Sequence, residues 1–342
     1  PSRSIQVNST SSQAARVFGS ASIDLTGGGP NFNGSSFGVS GGPAQPPGGF
    51  QTNPPASWQA PTTPIPDPLR FVPPPQDPGP GVAMSTDVSY HQYGCPDVNG
   101  CVKLTRGDWP NGIRVGSNNN LGTQKTTAIF EPGVYYVGGF GLDLNANSLV
   151  RPTDINQAPG DGSMGTIFYF TGGGTVQIGA NSGKTVVDSF QTSLARCPGD
   201  SDEFWTSLKI PATVDGNVLV APCTKDGTYP QAPQSLGIGP DRGILFFQDR
   251  STAVSTTLNG GGGLMLVGTM YFHNCPNSLT APCQLPPTDY QTALTLVGNS
   301  GSHTRLIGEI IADQLSMRGT SAITMYLNPN ARLILLKAAL LQ

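Results

Sequence analysis

Gly243-Ile-Leu-Phe-Phe-Gln-Asp-Arg250, Gly268-Thr-Met-Tyr-Phe272, Leu294-Thr-Leu-Val-Gly-Asn-Ser300 and Leu315-Ser-Met-Arg-Gly-Thr-Ser321 lie within one stretch, Gly243 to Leu327. Two short patterns alternate in it. One is a glycine leading a compact apolar run that contains an aromatic. The other is apolar-x-apolar-x-Gly followed by small polar residues. Alternation over four or five residues, ended by a residue that tolerates positive φ, describes a short strand and a tight corner.

Both patterns recur upstream. Gly133-Val-Tyr-Tyr-Val137 and Gly165-Thr-Ile-Phe-Tyr-Phe170 repeat the first; Leu142-Asp-Leu-Asn-Ala-Asn-Ser148 and Val176-Gln-Ile-Gly-Ala-Asn-Ser182 repeat the second. Self-similarity of this kind marks a solenoid, in which each coil covers the apolar face of its neighbour. A β-sandwich also has many short strands, but the recurring Gly-Asn-Ser and Gly-Thr-Ser corners favour an all-β, right-handed parallel β-helix. The irregular spacing predicts long loop insertions between coils.

Composition points the same way. Of 342 residues, 45 are glycine and 32 proline, so helices are expected to be scarce. Charged residues make up 11%, against roughly 25% in an ordinary globular domain. A net charge of −3 offers no basic surface for nucleic acid and no polybasic strip for anionic lipid. No apolar segment reaches the length of a membrane span. The chain opens on Pro1, and the expectation is of an exported chain from which a signal or anchor has been removed.

Six cysteines pair by neighbourhood: Cys95 with Cys101, Cys275 with Cys283, and Cys197 with Cys223. An even count in loop-like contexts predicts disulfides and an oxidising compartment. Zinc is the rival reading, but no pair has C-x₂₋₄-C spacing and no H-x₃₋₅-H follows. No metal or other cofactor is expected.

Along the chain, 1–42 carries short alternating runs (Ser4-Ile-Gln-Val7, Ile23-Asp-Leu25) and is expected to join the solenoid. Residues 43–81 form a proline-rich extended segment, with 14 prolines among the 38 residues from Pro43 to Pro80. Proline removes backbone donors, so this segment is not expected in a central sheet. It also carries Phe50, Trp58, Ile65, Leu69, Phe71 and Val72, and part of it is therefore expected to lie along the β-helix. The main domain is 82–342, interrupted by an insertion at 188–240 where the strand pattern lapses. The final stretch, Ala331 to Gln342, is the most apolar of the chain and reads as a cap on the last coil or as an assembly surface.

The catalytic motifs that can be matched are poor. Gly38-Val-Ser-Gly-Gly42 fits G-x-S-x-G, but Pro43 follows where a nucleophile elbow needs a helix. Gly179-Ala-Asn-Ser-Gly-Lys-Thr185 lacks the first glycine of a phosphate loop and reads as a corner. β-Helices often host polysaccharide-active enzymes that use paired carboxylates. The local clusters here are Asp241 with Asp249, each beside an arginine, and Asp200, Asp202 and Glu203 near Trp205. The first reads better as salt bridges or corner hydrogen bonds. The chain is not expected to be an enzyme, with a polysaccharide lyase or hydrolase as the alternative. His91, His273 and His303 read as loop residues. Aromatics on the strands, from Tyr135 and Tyr136 to Tyr271 and Phe272, read as residues inside the coils. The candidates for partner contact are Trp58, Trp205, Leu333, Leu335 and Leu340.

The order of several motifs resembles a family. Val7-Asn-Ser-Thr-Ser-Ser-Gln-Ala-Ala15 with Gly19-Ser-Ala-Ser22, and Pro66-Asp-Pro-Leu69 with Pro73-Pro74, are similar to the start of the ectodomain of TadG-like proteins of the tight-adherence (Tad/Flp) pilus system. Phe130-Glu-Pro-Gly-Val-Tyr-Tyr-Val137, Phe168-Tyr-Phe-Thr-Gly-Gly173, Gly243 to Arg250, Gly268 to Tyr271 and Ile310-Ile-Ala-Asp-Gln-Leu315 resemble the successive β-helix landmarks. Such proteins usually carry an N-terminal membrane helix, which this sequence does not show. The 188–240 insertion and the apolar tail also depart from the pattern.

The resemblance implies an extracellular or cell-surface bacterial protein with structural or adhesive duty, and it brings no catalytic residues. Pilus or cell-envelope proteins are the expected partners, then copies of the chain itself in a filament or surface layer, then surface glycans.

Overall fold

A computed structural model describes residues 3–27, 33–67, 69–70, 72–79, 83–153, 165–184, 190–191, 213–214, 216–222, 243–260, 263–276, 283, 289–298, 304–307, 310–320 and 322–324. The protein is all-β and built almost wholly of parallel ladders. Six passes of the chain each lay down three strands in a fixed order. The first pass is Cys101–Leu104, Gly107–Trp109 and Ile113–Val115; the second is Thr127–Phe130, Gly133–Val137 and Leu142–Leu144; the third is Leu149–Pro152, Thr166–Phe170 and Val176–Ile178. Asn217–Val220, Ile244–Gln248 and Ser255–Asn259 follow, then Leu264–Val267, Thr269–Phe272 and Ala293–Gly298, and last Thr304–Ile307, Ile310–Ala312 and Gln314–Gly319. Corresponding strands of neighbouring passes pair in parallel along three faces, except that the first face is split into two sheets between Leu149–Pro152 and Asn217–Val220. This order is compatible with the β-helix expected from the repeats.

The apolar-x-apolar pattern explains the third face. Val115, Leu144, Ile178, Leu258, Leu296, Met317 and Val17 follow one another in register across seven strands. Each points inward every second residue, as the period of a strand requires. At some corners beside these strands no Cβ fits. Gly141 has φ +81°, and a Cβ there would run into the backbone of Thr175 in the next pass. This corner glycine thus follows from passes stacked only about 4.8 Å apart.

The second face differs, because its strands are apolar on both sides. Tyr135, Phe168 and Phe246 are in register and point inward with Phe130; the Tyr135 and Phe168 rings stack at 5.2 Å. Tyr136, Tyr169, Phe247 and Tyr271 alternate with them and point outward. The expectation that all strand aromatics lie inside the coils is therefore corrected for these four. They are covered by the proline-rich segment.

That segment has an unexpected course. Strands from the first sixty residues do not precede the first pass; they follow the last. Ala15–Val17 pairs with Gln314–Gly319 through Ala15–Leu315, Arg16–Ser316 and Val17–Met317. Ser22–Asp24 pairs with Ala322–Thr324. Beyond them, Arg3–Val7 pairs with Ser36–Val39, which pairs with Trp58–Gln59, while Ser22–Asp24 also takes Phe50–Gln51. Part of 43–81 thus forms short strands, none of them in the middle of a sheet. Both are two-residue strands at sheet edges, where proline is tolerated.

The chain then runs back as a strap over the second face. Leu69 packs with Ile244, Phe247 and Tyr271, and Pro75 further on accepts a hydrogen bond from the Tyr136 hydroxyl. It re-enters the stack at its other end, where Ser85–Val88 lies antiparallel to Cys101–Leu104.

The proposed insertion is also divided. Asn217–Val220 pairs in parallel with Leu264–Val267 and belongs to the stack. All four residues are buried. The signal was Val218-Leu-Val220 between Gly216 and Pro222. Within the insertion, Phe190–Gln191 and Thr213–Val214 form an antiparallel pair.

At the entry end, Asp97 fastens the Cys95–Cys101 loop to the second and third passes. Its Oδ2 accepts from Thr127 Oγ1 at 2.5 Å and pairs with Lys184. Burial pushes the carboxyl up, but the hydrogen bonds from Lys184, Thr127 and the Asn99 backbone, with the Lys184 charge, outweigh it and hold it below its ordinary 3.8. A depressed carboxyl stabilises the fold above its unfolded pKa, and that stability is lost as pH falls through the folded value. Asp97→Asn is therefore expected to flatten the loss of stability on acidification below 3.8, read from denaturant midpoints at stepped pH.

Candidate functional site: the strap clasp and the His273 corner

Where the strap crosses the strands of the fourth and fifth passes, a buried arginine and a buried aspartate meet. Arg250 follows Ile244–Gln248, and its side chain turns under the strap. Nη2 donates to the Leu69 carbonyl at 2.7 Å and Nη1 to the Val72 carbonyl at 3.1 Å. Nε donates to Tyr271 Oη at 2.7 Å, and that hydroxyl donates to Asp67 Oδ2 at 2.8 Å. Asp67 Oδ1 in turn accepts from the Leu69 N–H at 2.8 Å. Arg250 and Asp67 are 6% and 7% exposed, so both charges are satisfied only by each other and by this set of bonds. The guanidinium carbon also lies 4.9 Å from the ring centres of Phe247 and Tyr271.

Beside the clasp is a cleft of about 90 Å³ lined by Pro74, Tyr169, Phe247, Asp249, Arg250 and Pro276. This is well below the roughly 300–1,000 Å³ of a pocket that encloses a small molecule. Burial and the nearby Asp249 charge, against Arg250, push the Tyr169 hydroxyl up to about 12, so it stays protonated and available as a donor. Asp249 accepts from the Ser251 N–H at 2.9 Å, a corner bond of the kind its sequence context suggested.

One strand further on is a second polar cluster. Phe272 and Ala312 are register partners, so the residues that follow them, His273 and Asp313, meet although 40 positions apart. Nδ1 of His273 is 2.5 Å from Asp313 Oδ1. Asp313 Oδ2 accepts from the backbone N–H groups of Asn274 at 3.1 Å and Thr292 at 2.9 Å. His273 is 3% exposed and lies between the rings of Tyr271 and Tyr290. Burial lowers its pKa, but the hydrogen bond and charge of Asp313 outweigh that and raise it. Its other ring nitrogen, Nε2, faces Cys283 Sγ at 3.5 Å. His273 lies just past Thr269–Phe272, outside the strand, as the loop reading expected, but it is buried and partnered. The only local clue was His273-Asn-Cys275.

Of the residues singled out from sequence, Cys95–Cys101 and Cys275–Cys283 form disulfides. Trp58 stacks on Phe37 at 4.5 Å and donates its indole N–H to the Pro43 carbonyl, so its ring is used within the N-terminal strands. Cys197, Cys223, Trp205, Leu333, Leu335 and Leu340, with Asp200, Asp202, Glu203 and Asp241, lie outside the described residues. No helix among the described residues is long and apolar enough to cross a membrane. Comparison with protein-family models, with curated proteins and with solved structures finds no match.

Proposed function

We propose that this chain is an exported, right-handed parallel β-helix that serves as a structural or adhesive module of a bacterial pilus or surface assembly. The observation that carries the reading is how the buried polar groups are used. Arg250, Asp67 and Tyr271 fasten a strap across the strands, and Asp97 and Lys184 tie a disulfide loop to the stack. These groups lock one pass to the next, as a module under mechanical load requires. Disulfides suit an oxidising exterior. The order of motifs shared with TadG-like ectodomains supplies the assembly to which such a module would belong.

Immunogold electron microscopy of intact cells that make the protein tests this. Label along pili or at their tips is the expected result. Continuous sheets or filaments of label would instead favour self-assembly of copies of this chain. Label dispersed in the medium would sink both and bring forward a glycan-binding or glycan-cleaving role.

A further inference from the structure

The His273 corner has the parts of a metal site. We propose that, when the Cys275–Cys283 disulfide is reduced, His273 Nε2 and the two cysteine sulfurs bind one zinc ion, so that this corner holds either a disulfide or a metal.

The geometry is the first argument. One ligand atom from each of His273, Cys275 and Cys283 can be chosen so that all lie within 4.8 Å of one another. Tetrahedral zinc with Zn–N of about 2.0–2.1 Å and Zn–S of about 2.3 Å sets nitrogen and sulfur about 3.5 Å apart. The Nε2 to Cys283 Sγ distance is 3.5 Å. The same geometry needs the two sulfurs about 3.8 Å apart. In the disulfide they are bonded to each other, and breaking that bond frees them to take the zinc spacing.

The second argument is the support behind the ligand. A metal-bound histidine characteristically donates its other ring N–H to a carboxylate, which fixes tautomer and orientation. Asp313 occupies that place, itself held by two backbone N–H groups. With Nδ1–H given to Asp313, the Nε2 lone pair points at the sulfurs. Cys275 is fully buried, whereas Cys283 is partly exposed and gives reductant and metal a way in.

The chemistry balances with a dithiol as reductant. The dithiol passes two electrons and two protons to the Cys275–Cys283 bond and closes into its own disulfide. Zinc then displaces both thiol protons to solvent. Three protein ligands leave the fourth position to water.

The test uses the full chain carrying Cys197→Ser and Cys223→Ser, reduced with a dithiol that is then removed under inert gas. Zinc is titrated against a chromogenic chelator, and cobalt(II) serves as a probe of thiolate ligation by its charge-transfer absorption. We expect one ion per chain, a loss of at least about hundredfold in affinity with His273→Gln or Cys283→Ser, and about 10–100-fold with Asp313→Asn. The oxidised protein should bind none at this corner. Unchanged affinity in His273→Gln, or no cobalt–thiolate band in the reduced chain, would overturn the proposal. If reduction melts the fold, zinc must restore the strand signal in circular dichroism, and failure to do so also overturns it.

Discussion

Replacing Arg250 with methionine is expected to destabilise the protein by about 3–5 kcal/mol, the cost typical of breaking a buried ion pair from one side. The variant leaves the Asp67 carboxylate 7% exposed without the guanidinium beside it at 3.6 Å. It also removes the guanidinium donors from the Leu69 and Val72 carbonyls, leaving Leu69 only the Val72 N–H. Urea denaturation gives the magnitude, and protease sensitivity between Asp67 and Gly79 shows whether the strap lifts. Adding Asp67→Asn should recover part of the loss, because the uncompensated charge is then gone. A loss below about 1 kcal/mol would place the pair in the class of exposed bridges and deny the clasp its role.

Phe168→Ala should be of comparable size, about 3–5 kcal/mol. Phe168 is fully buried and touches Phe130, Tyr135 and Phe246 at ring separations of 5.2, 5.2 and 5.9 Å. It therefore joins three successive passes. Parallel ladders fix its neighbours by register, so the cavity left behind cannot be filled by sliding one strand. Met84, 54% exposed, is the control: Met84→Ala should stay within about 0.5 kcal/mol. Thermal or denaturant unfolding of the two variants checks the contrast.

Much of the strand content was legible in the sequence, because it rests on local pattern. Leu142-x-Leu144 and Val176-x-Ile178 announce inward pairs wherever they occur. Two of the disulfides were legible for the same reason, since six and eight residues separate the partners. What escaped was nonlocal. A run such as Tyr135-Tyr136 is apolar on both faces, and a strand apolar on both faces must be covered on both. That condition, set beside the apolar residues stranded among prolines at Leu69 and Val72, held the strap in outline. The clasp was less accessible, because Asp67 and Tyr271 meet across 204 positions. The His273 corner was hidden by register: nothing near His273 announces Asp313 until Phe272 and Ala312 are paired. Spacing rules for zinc sites did not catch it, since Cys275 and Cys283 stand eight positions apart, wider than C-x₂₋₄-C, and His273 has no second histidine at H-x₃₋₅-H spacing.

The N-terminal strands are the clearest case. Ile23-Asp-Leu25 shows a strand but not its neighbour, and nothing local says at which end of the stack it docks. They dock on the last pass, and the strap returns over the outer face to the other end of the stack. Introducing Arg16→Cys and Ser316→Cys at register partners probes that docking. Directly opposed residues on neighbouring strands lie about 4.8 Å apart, within the span a disulfide bridges. After mild oxidation, mass spectrometry of a monomer should find the peptides containing positions 16 and 316 joined. No such link in a folded monomer would mean that Ala15–Val17 does not lie beside Gln314–Gly319. A link found only in dimers would mean that the N-terminal strands dock on a second copy.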